Sequence, residues 1–334
     1  MSNRFQTALV RSPFDVKLPP QPHQAFLNMR DATGGFPLAA RRAVEAMWLP
    51  FRHRATNHWL SQFPREPHQR FWEMYLALVL EADGHRLDMP HTARRDEGPD
   101  VKLLRDGLPS VVVEAVCATL GDPASPNCVP SFPTSTVDKI EVHMYPEEQV
   151  VLRIASVLAD KAKQRQRHVA SGLVDPASPF VIALNCGGHR ELSCGAVEPM
   201  ALKALFPVGH PSLSIDTRTF RTVDSGWTTR MAVTKTQVES GAGVAIPTTM
   251  FANPAASAIS AILCSNANLA NHAWLDGGRP SHGFSLVRNP FAAHPVPPNL
   301  LPVDEVIDAV LAGGDMLEIH REPGRAPMLS LSKS

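Results

Sequence analysis

Three consecutive valines followed by a glutamate, residues 111–114, constrain the fold of this chain more than any other segment. The run predicts a buried strand, and a carboxylate inside such a strand is costly unless it is paired, protonated or bound to a cation. A second apolar run, residues 101–104, precedes it across a connection that contains an Asp-Gly turn signal. The two runs therefore predict a β-hairpin in which Asp100 begins one strand and Glu114 lies within the other.

The length of the turn decides whether these two acids face each other. A three-residue loop with Gly107 in the left-handed conformation places Asp100 opposite Glu114, with their Cβ atoms about 5 Å apart. A two-residue loop places Asp100 opposite Val113 and puts the acids on opposite faces. The preference for glycine in such loops favours the first register. Two carboxylates at that distance repel each other, and a divalent cation relieves the repulsion; the alternative is a solvated hairpin edge.

Composition limits the classes of protein that need to be considered. A chain of 334 residues that is 44% hydrophobic and 19% charged can bury a large core, as one large domain or a domain with appended elements. No apolar run is long enough to cross a bilayer and no secretory signal begins the chain, so we expect a cytoplasmic protein that does not bind membranes. The net charge is zero, which leaves any argument for nucleic-acid binding to local basic patches.

Cysteine usage argues against a disulfide framework and against structural zinc. The five cysteines are an odd set without a close CxxC pair. Cys186, His189 and Cys194 would supply three zinc ligands, but no fourth is evident. A hydrolase that uses Cys117 or His189 is a separate interpretation, although no histidine is close in sequence to Cys117.

Helices are expected on both sides of the hairpin. Residues 37–48 have a helical pattern, and residues 68–81 carry an apolar stripe at helical spacing, with Glu73 off its centre. A long helix should start near Pro146. The buried strand predicted at residues 179–185 should run parallel to an earlier strand, because a whole helix separates them.

The long helix places basic residues on the face that should be buried. At 100° per residue, its apolar stripe continues onto Lys161, Arg165 and His168. Gln164 lies at the edge of the stripe. A buried lysine requires carboxylates or anions nearby, so Lys161 is expected to point toward the hairpin acids; alternatively, the helix overhangs its sheet and these side chains meet water. The candidates for nucleic-acid binding on this helix are Lys163, Arg165, Arg167 and His168.

The remaining chain predicts elements that extend the central sheet. We expect helices over residues 200–206 and 304–311, and strands over residues 212–216, 258–265, 283–287 and 316–320. Asp216 is interpreted as a turn residue in preference to a metal ligand. The expected division is an N-terminal extension over residues 1–67, a core over 68–190, and a C-terminal extension packed on the core over 191–334.

The order helix, strand, acidic hairpin, helix, strand resembles the core of the PD-(D/E)xK nucleases, the restriction-endonuclease-like superfamily. The resemblance covers residues 68–186 and rests on Glu73, Pro99-Asp100, Glu114, and the basic helix around Lys161 and Gln164. Residues 70–76, 203–206 and 289–292 also resemble a group of bacterial proteins of unassigned role that carry this core. The resemblance implies an α/β fold with a core of helix, three strands, helix and strand, in a mixed central sheet flanked by helices and extended by C-terminal strands.

The chemistry that the resemblance implies is Mg²⁺-dependent hydrolysis of phosphodiester bonds in DNA or RNA, with Mn²⁺ as an alternative ion. Asp100 and Glu114 would hold the metal, with the carbonyl of Ala115 as a further ligand. Glu73 would bind a second ion or orient metal-bound water. A nearby lysine would stabilise the charge that develops on phosphorus.

The lysine of the family motif is missing from its usual place, two residues after the acid, where this chain has Val116. Related nucleases relocate this lysine, often to the following helix, so Lys161 is preferred and Lys102 is the alternative. Gln164 followed by His168 resembles a glutamine-bearing variant of that arrangement. Without a replacement cation, the chain would be an inactive relative that binds nucleic acid or protein. A homodimer is compatible with either interpretation.

Overall fold

An eight-stranded mixed sheet forms the centre of the first of two units into which the chain divides. The computed structural model describes residues 10–89, 98–131, 144–193, 199–275, 283–312 and 316–325. The first unit, here called the core unit, comprises residues 1–117, 161–188 and 257–334, and the second, the hairpin unit, comprises residues 118–160 and 189–256. The two units interleave along the chain.

Helices dominate the N-terminal part of the described chain and strands the C-terminal part. The α-helices are α1 Gln24–Arg30, α2 Gly35–Phe51, α3 Asn57–Gln62, α4 Pro67–Ala82, α5 Glu147–Ala170, α6 Arg190–Ser193 and α7 Met200–Leu205. The strands are β1 Arg86–Asp88, β2 Val101–Leu104, β3 Val111–Cys117, β4 Phe180–Asn185, β5 Val208–Ile215, β6 Thr222–Thr229, β7 Ala232–Thr236, β8 Gly243–Pro247, β9 Ala261–Ser265, β10 Phe284–Arg288, β11 Glu305–Ala312 and β12 Met316–Pro323. A 3₁₀ turn covers Pro254–Ala256.

The central sheet has the strand order β1-β2-β3-β4-β9-β10-β11-β12. Strand β2 runs antiparallel to both β1 and β3, whereas β3, β4 and β9 run parallel to one another. The parallel pairing of β3 with β4 is the one expected from the long helix between them, because parallel strands need a crossover connection. The predicted α/β class with a mixed central sheet is confirmed, and so is its extension by C-terminal strands.

Helix α4 is the central helix of the core unit. Its residues from Phe71 to Leu80 are all buried, and the helix contacts β3. The indole Nε1 of Trp72 donates a 2.8 Å hydrogen bond to the carbonyl of Ala183, which ties the helix to β4. A helix that is apolar on nearly all sides belongs in a core, so the acid that it carries, Glu73, is held in a largely buried position.

The prediction of a helix over residues 304–311 is wrong, because this segment forms strand β11. The spacing of Val303, Val306, Ile307 and Val310 satisfies a helical stripe, but these β-branched side chains also favour strands. Parallel pairing with β10 and antiparallel pairing with β12 decide between the two. Tertiary pairing has overridden an ambiguous local pattern.

The hairpin unit contains two small antiparallel sheets, β5–β6 and β7–β8. Strand β5 overlaps the predicted strand at residues 212–216, but it pairs with β6 and does not extend the central sheet as expected. Helix α7 matches the predicted helix at residues 200–206. Asp216 Oδ1 accepts hydrogen bonds from the backbone amides of Arg218 and Thr219 at 2.7 and 3.2 Å, so it closes a turn as expected. None of the helices formed by the described residues combines the length and apolarity required to cross a bilayer.

Candidate functional site

The β2–β3 hairpin brings Asp100 and Glu114 together. Val101 pairs with Val113 and Leu103 with Val111, and one further step of this register places Asp100 opposite Glu114. Gly107 has φ +69°, the left-handed conformation that the three-residue loop requires. The predicted register is therefore confirmed. Oδ2 of Asp100 also accepts a 2.8 Å hydrogen bond from the backbone amide of Ala115, which fixes the carboxylate against β3.

Lys161 reaches both acids from helix α5. Its Nζ donates a hydrogen bond of 3.0 Å to Oε2 of Glu114 and lies 3.7 Å from Oδ2 of Asp100. The Glu114 side chain is fully buried, whereas those of Lys161 and Asp100 retain 15% and 29% of their exposure. Lys161 therefore lies between an enclosed carboxylate and one that reaches solvent, as predicted from the helical stripe.

His168 occupies the other side of Glu114. Its Nδ1 lies 3.3 Å from Oε1 of Glu114, and both atoms are buried. The contact is within ion-pair range but is not aligned as a hydrogen bond, and neither atom has another hydrogen-bond partner. The Glu114 carboxylate is thus enclosed by Lys161 on one oxygen and His168 on the other.

The pKa values of the two hairpin acids are shifted in opposite directions. Burial and the negative charge of Glu114 raise the pKa of Asp100 well above its ordinary value, and Lys161 offsets this only in part. Burial also acts to raise the pKa of Glu114, but His168 and Lys161 outweigh it, so that this pKa is lowered. The pKa of Lys161 is raised, because Asp100 and Glu114 outweigh the effect of burial. As pH falls, Asp100 accepts a proton first while Glu114 stays ionised.

Glu73 is held by two residues of its own helix. Nη1 of Arg70 lies 2.8 and 2.9 Å from the two carboxylate oxygens, and Nε2 of Gln69 donates to Oε1 at 3.0 Å. Gln69 also bonds to β3, donating to the carbonyl of Ala115 at 3.2 Å and accepting from the amide of Cys117 at 2.8 Å. Arg70 and Gln69 were not among the predicted site residues, although their spacing of three and four from Glu73 on one helix was a visible signal.

A cleft of about 340 Å³ in the core unit joins these groups. Glu73, Asp100 and Lys161 all line it, as does Val116, which occupies the usual lysine position. Glu114 is not among its lining residues. Its remaining walls are formed by Phe51, Arg54, Thr56, His58, Trp59, Gln69, Arg70, Met89, Gly98, Val101 and Ala115. The cleft is large enough for a small ligand or a nucleotide-sized group.

Lys102 does not approach the acids. Its Nζ donates a 2.7 Å hydrogen bond to the carbonyl of Leu173, beyond the end of α5. It lines a separate cavity of about 250 Å³ together with Asp88 and Gly172. The alternative to Lys161 is therefore placed away from the cleft. Gln164 is partly buried on α5 and does not line the cleft.

The four residues predicted to bind nucleic acid fall into two pairs. Lys163 and Arg167 are exposed on α5. Arg165 is buried, with its guanidinium 5.7 Å from the centre of the Phe180 ring and Nη2 bonded to the carbonyl of Pro176 at 3.2 Å. His168 is buried against the acid pair. Arg165 and His168 therefore pack inside the protein, because they lie on the same helical stripe as Lys161 and are buried with it.

Cys117 is poorly suited to act as a nucleophile. Burial, together with the nearby Glu73 carboxylate, raises the pKa of its thiol well above the ordinary value. Only a thiolate is an effective nucleophile, so the site does not activate this cysteine. Cys194, considered above as a zinc ligand, lies outside the described residues.

The oxygen donors of the cleft suit a hard divalent cation. Within the described part of the chain, no three histidine, cysteine, aspartate or glutamate side chains are arranged as a metal cluster. Mg²⁺ does not require one, because one or two carboxylates suffice when water and substrate phosphates complete its coordination shell. Asp100 and Ala115 line the cleft, whereas Glu114 is buried and hydrogen-bonded to Lys161. Comparison with models of known protein families, with curated proteins and with solved structures found no match to this chain.

Proposed function

We propose that this protein is a metal-dependent nuclease of the restriction-endonuclease-like type, in which the motif lysine has moved from strand β3 to helix α5. The observation that carries the proposal is the position of Lys161, 3.0 Å from Glu114 and 3.7 Å from Asp100 in a cleft where Val116 takes the usual lysine place. A lysine on a helix can stabilise the negative charge that develops on phosphorus as well as a lysine on the strand can.

Asp100 and Glu114 would hold Mg²⁺ or Mn²⁺, with the carbonyl of Ala115 as a further donor. When bound, the ion would polarise the scissile phosphate and lower the pKa of the attacking water. The negative charge that raises the pKa of Asp100 is the charge that such a cation relieves.

The residues around the acid pair have separate tasks. Lys161, still partly exposed, stabilises the negative charge that develops on phosphorus. Arg70 and Gln69 hold the Glu73 carboxylate on the cleft wall, where it orients the attacking water. The exposed Lys163 and Arg167 on α5 contact the backbone of a DNA or RNA substrate.

The test compares cleavage with metal binding in the same variants. Plasmid DNA and single-stranded DNA and RNA are incubated with Mg²⁺ or Mn²⁺, and Mn²⁺ binding is measured by calorimetry. Asp100→Asn and Glu114→Gln should each reduce cleavage by about a hundredfold or more and weaken Mn²⁺ binding. The matched control is Asp106→Asn, an acid of the same hairpin whose side chain is 92% exposed. Cleavage that survives both acid substitutions would refute the proposal.

Lys161→Met separates the lysine from the metal ligands. It should abolish cleavage while leaving Mn²⁺ binding intact or stronger, because it removes a competing cation and no oxygen donor. Lys17→Met, which changes an exposed lysine of the same unit, is the control and should cleave as the wild type does. Full activity without Lys161 would show that the displaced-lysine assignment is wrong.

A second candidate is a non-catalytic binding protein with the same core. It is favoured by one observation: Arg70 pairs with Glu73, and Lys161 lies within ion-pair distance of both hairpin acids, so each carboxylate already contacts a cation of the protein. This candidate predicts salt-sensitive binding of nucleic acid that persists in Glu114→Gln, with no cleavage in either metal. The assays above distinguish the two.

A further inference from the structure

Glu147 is the centre of a charged cluster in the hairpin unit. It lies in the first turn of α5 and accepts hydrogen bonds from Nζ of Lys203 at 2.5 Å and from Nη1 of Arg230 at 2.8 Å. Nδ1 of His210 lies 3.5 Å from the same Oε1 that Arg230 contacts. We call these four residues the Glu147 cluster.

The Glu147 cluster carries more positive than negative charge. The Lys203 side chain is 2% exposed and that of Arg230 is 10% exposed. Burial acts to raise the pKa of Glu147, but Lys203 and Arg230 lower it more strongly, so this carboxylate is ionised. Two buried cations therefore face one anion, and His210 would add a further positive charge when protonated. A surplus of buried positive charge is costly unless an anion compensates it.

Arg230 has donors to spare in this cluster. Its Nη1 is occupied by Glu147, but Nε and Nη2 are buried without a hydrogen-bond partner. These two groups form one edge of the guanidinium, a fork that matches two oxygens of a single oxyanion. Buried donors without acceptors are rare in folded proteins and destabilise them, so an acceptor that reached these two groups would be bound favourably.

The cluster also has an exposed rim. The His210 side chain is 65% exposed, and because His210 and Arg230 approach the same oxygen, an exposed imidazole lies beside the enclosed guanidinium. Lys203 Nζ lies 5.3 Å from the centre of the Trp227 ring, and Trp227 is 43% exposed. The cations are therefore close to the surface of the hairpin unit.

We propose that the Glu147 cluster binds a phosphate group through Arg230, His210 and Lys203. The Nε and Nη2 groups of Arg230 donate to two phosphate oxygens and His210 donates to a third. Lys203 adds a nearby positive charge. A phosphate has more acceptor oxygens and more negative charge than a carboxylate, so it matches this set of donors better. The inference does not depend on the nuclease proposal, since its residues belong to the hairpin unit.

Calorimetry on the full chain without added metal tests the site. The probes are inorganic phosphate, as a free small ligand, and a short single-stranded DNA without a terminal phosphate, as a source of phosphodiesters. Arg230→Gln should weaken binding of the recognised probe by about tenfold or more, and His210→Ala by about threefold. The matched control, Arg221→Gln, alters an exposed arginine of the same hairpin and should leave affinity unchanged.

The two probes separate the sources of the phosphate. Binding of inorganic phosphate that requires Arg230 supports a small phosphorylated ligand, and binding of the DNA alone that requires Arg230 supports a nucleic-acid backbone. Binding of neither probe overturns the proposal, as does equal affinity in Arg230→Gln and Arg221→Gln. If Arg230→Gln does not fold, as judged by circular dichroism, the exposed His210→Ala decides, and unchanged affinity in that variant overturns the proposal.

Discussion

Replacing Lys161 by methionine should destabilise the core unit strongly, although methionine fills a similar volume. Glu114 is fully buried and Lys161 is its hydrogen-bonded cation. Removal of one partner from a buried ion pair costs about 3–5 kcal/mol, because an uncompensated charge is left behind. We expect the lower end of this range, about 3 kcal/mol, since His168 remains 3.3 Å from Glu114 and Asp100 can take up a proton.

The cost should depend on the charge of Glu114. In a Glu114→Gln background the only hairpin carboxylate that loses its cation is Asp100, which is 29% exposed and can take up a proton. Adding Lys161→Met there should therefore cost only about 1 kcal/mol, the scale of one hydrogen bond. The coupling energy between the two substitutions should therefore be about 2 kcal/mol, a value typical of residues in one network. Excess Mg²⁺ should raise the free energy of unfolding of Lys161→Met more than that of the wild type, because the ion replaces the ammonium group that the variant has lost.

Urea unfolding of the four proteins at neutral pH, followed by tryptophan fluorescence, measures these differences. Four of the five tryptophans belong to the core unit, so the signal reports mainly on it. A cost of Lys161→Met below about 1 kcal/mol, typical of an exposed ion pair, would refute the reasoning. So would an equal cost in both backgrounds, since the loss would then not arise from Glu114.

Three further predictions concern neighbouring residues. Asp100→Asn should be more stable than the wild type at neutral pH, by about 1.4 kcal/mol for each unit by which the folded-state pKa of Asp100 is raised. The gain should disappear as pH falls below about 3.9, where aspartate is protonated in both states, and a gain independent of pH would contradict this explanation. Gln69→Leu should lower the free energy of unfolding by about 1–3 kcal/mol, because it leaves buried groups of β3 and Glu73 without partners. A cost no larger than that of Gln62→Leu, which alters a glutamine outside this network, would contradict it. In the folded protein, iodoacetamide should label the half-buried Cys128 before the buried Cys117, as checked by mass spectrometry, and the opposite order would show that Cys117 is activated.

The acid pair could be predicted from sequence because two local signals agree. The turn glycine selects one hairpin register, and the apolar residues around Glu114 identify β3 as a buried strand. The direction of Lys161 followed from the same kind of counting, since a helix turns by a fixed angle per residue. Such features depend on geometry within a strand or a helix, which sequence spacing determines.

Features that depend on distant partners could not be predicted in this way. Residues 304–311 satisfy a helical pattern, and only their pairing with β10 and β12 makes them a strand. Lys102 has the required charge and lies two residues from Asp100 in sequence, yet its long side chain bonds to the carbonyl of Leu173. Arg165 and His168 were assigned to a nucleic-acid surface although they share the buried stripe with Lys161, an inconsistency visible from the spacing alone.

The cost of the acid pair to the stability of the fold is itself an argument for function. Buried ion pairs can often be replaced by apolar residues without loss of stability, and sometimes with a gain. The hairpin register sets Asp100 against Glu114, and Lys161 offsets their repulsion only in part, so the residual charge destabilises the fold. A chain that required only a stable hairpin would be served better by an amide or an apolar side chain at position 100. Destabilising charge that lines a cleft is typical of sites where a ligand supplies the missing compensation. For Asp100 and Glu114, that ligand would be a divalent cation.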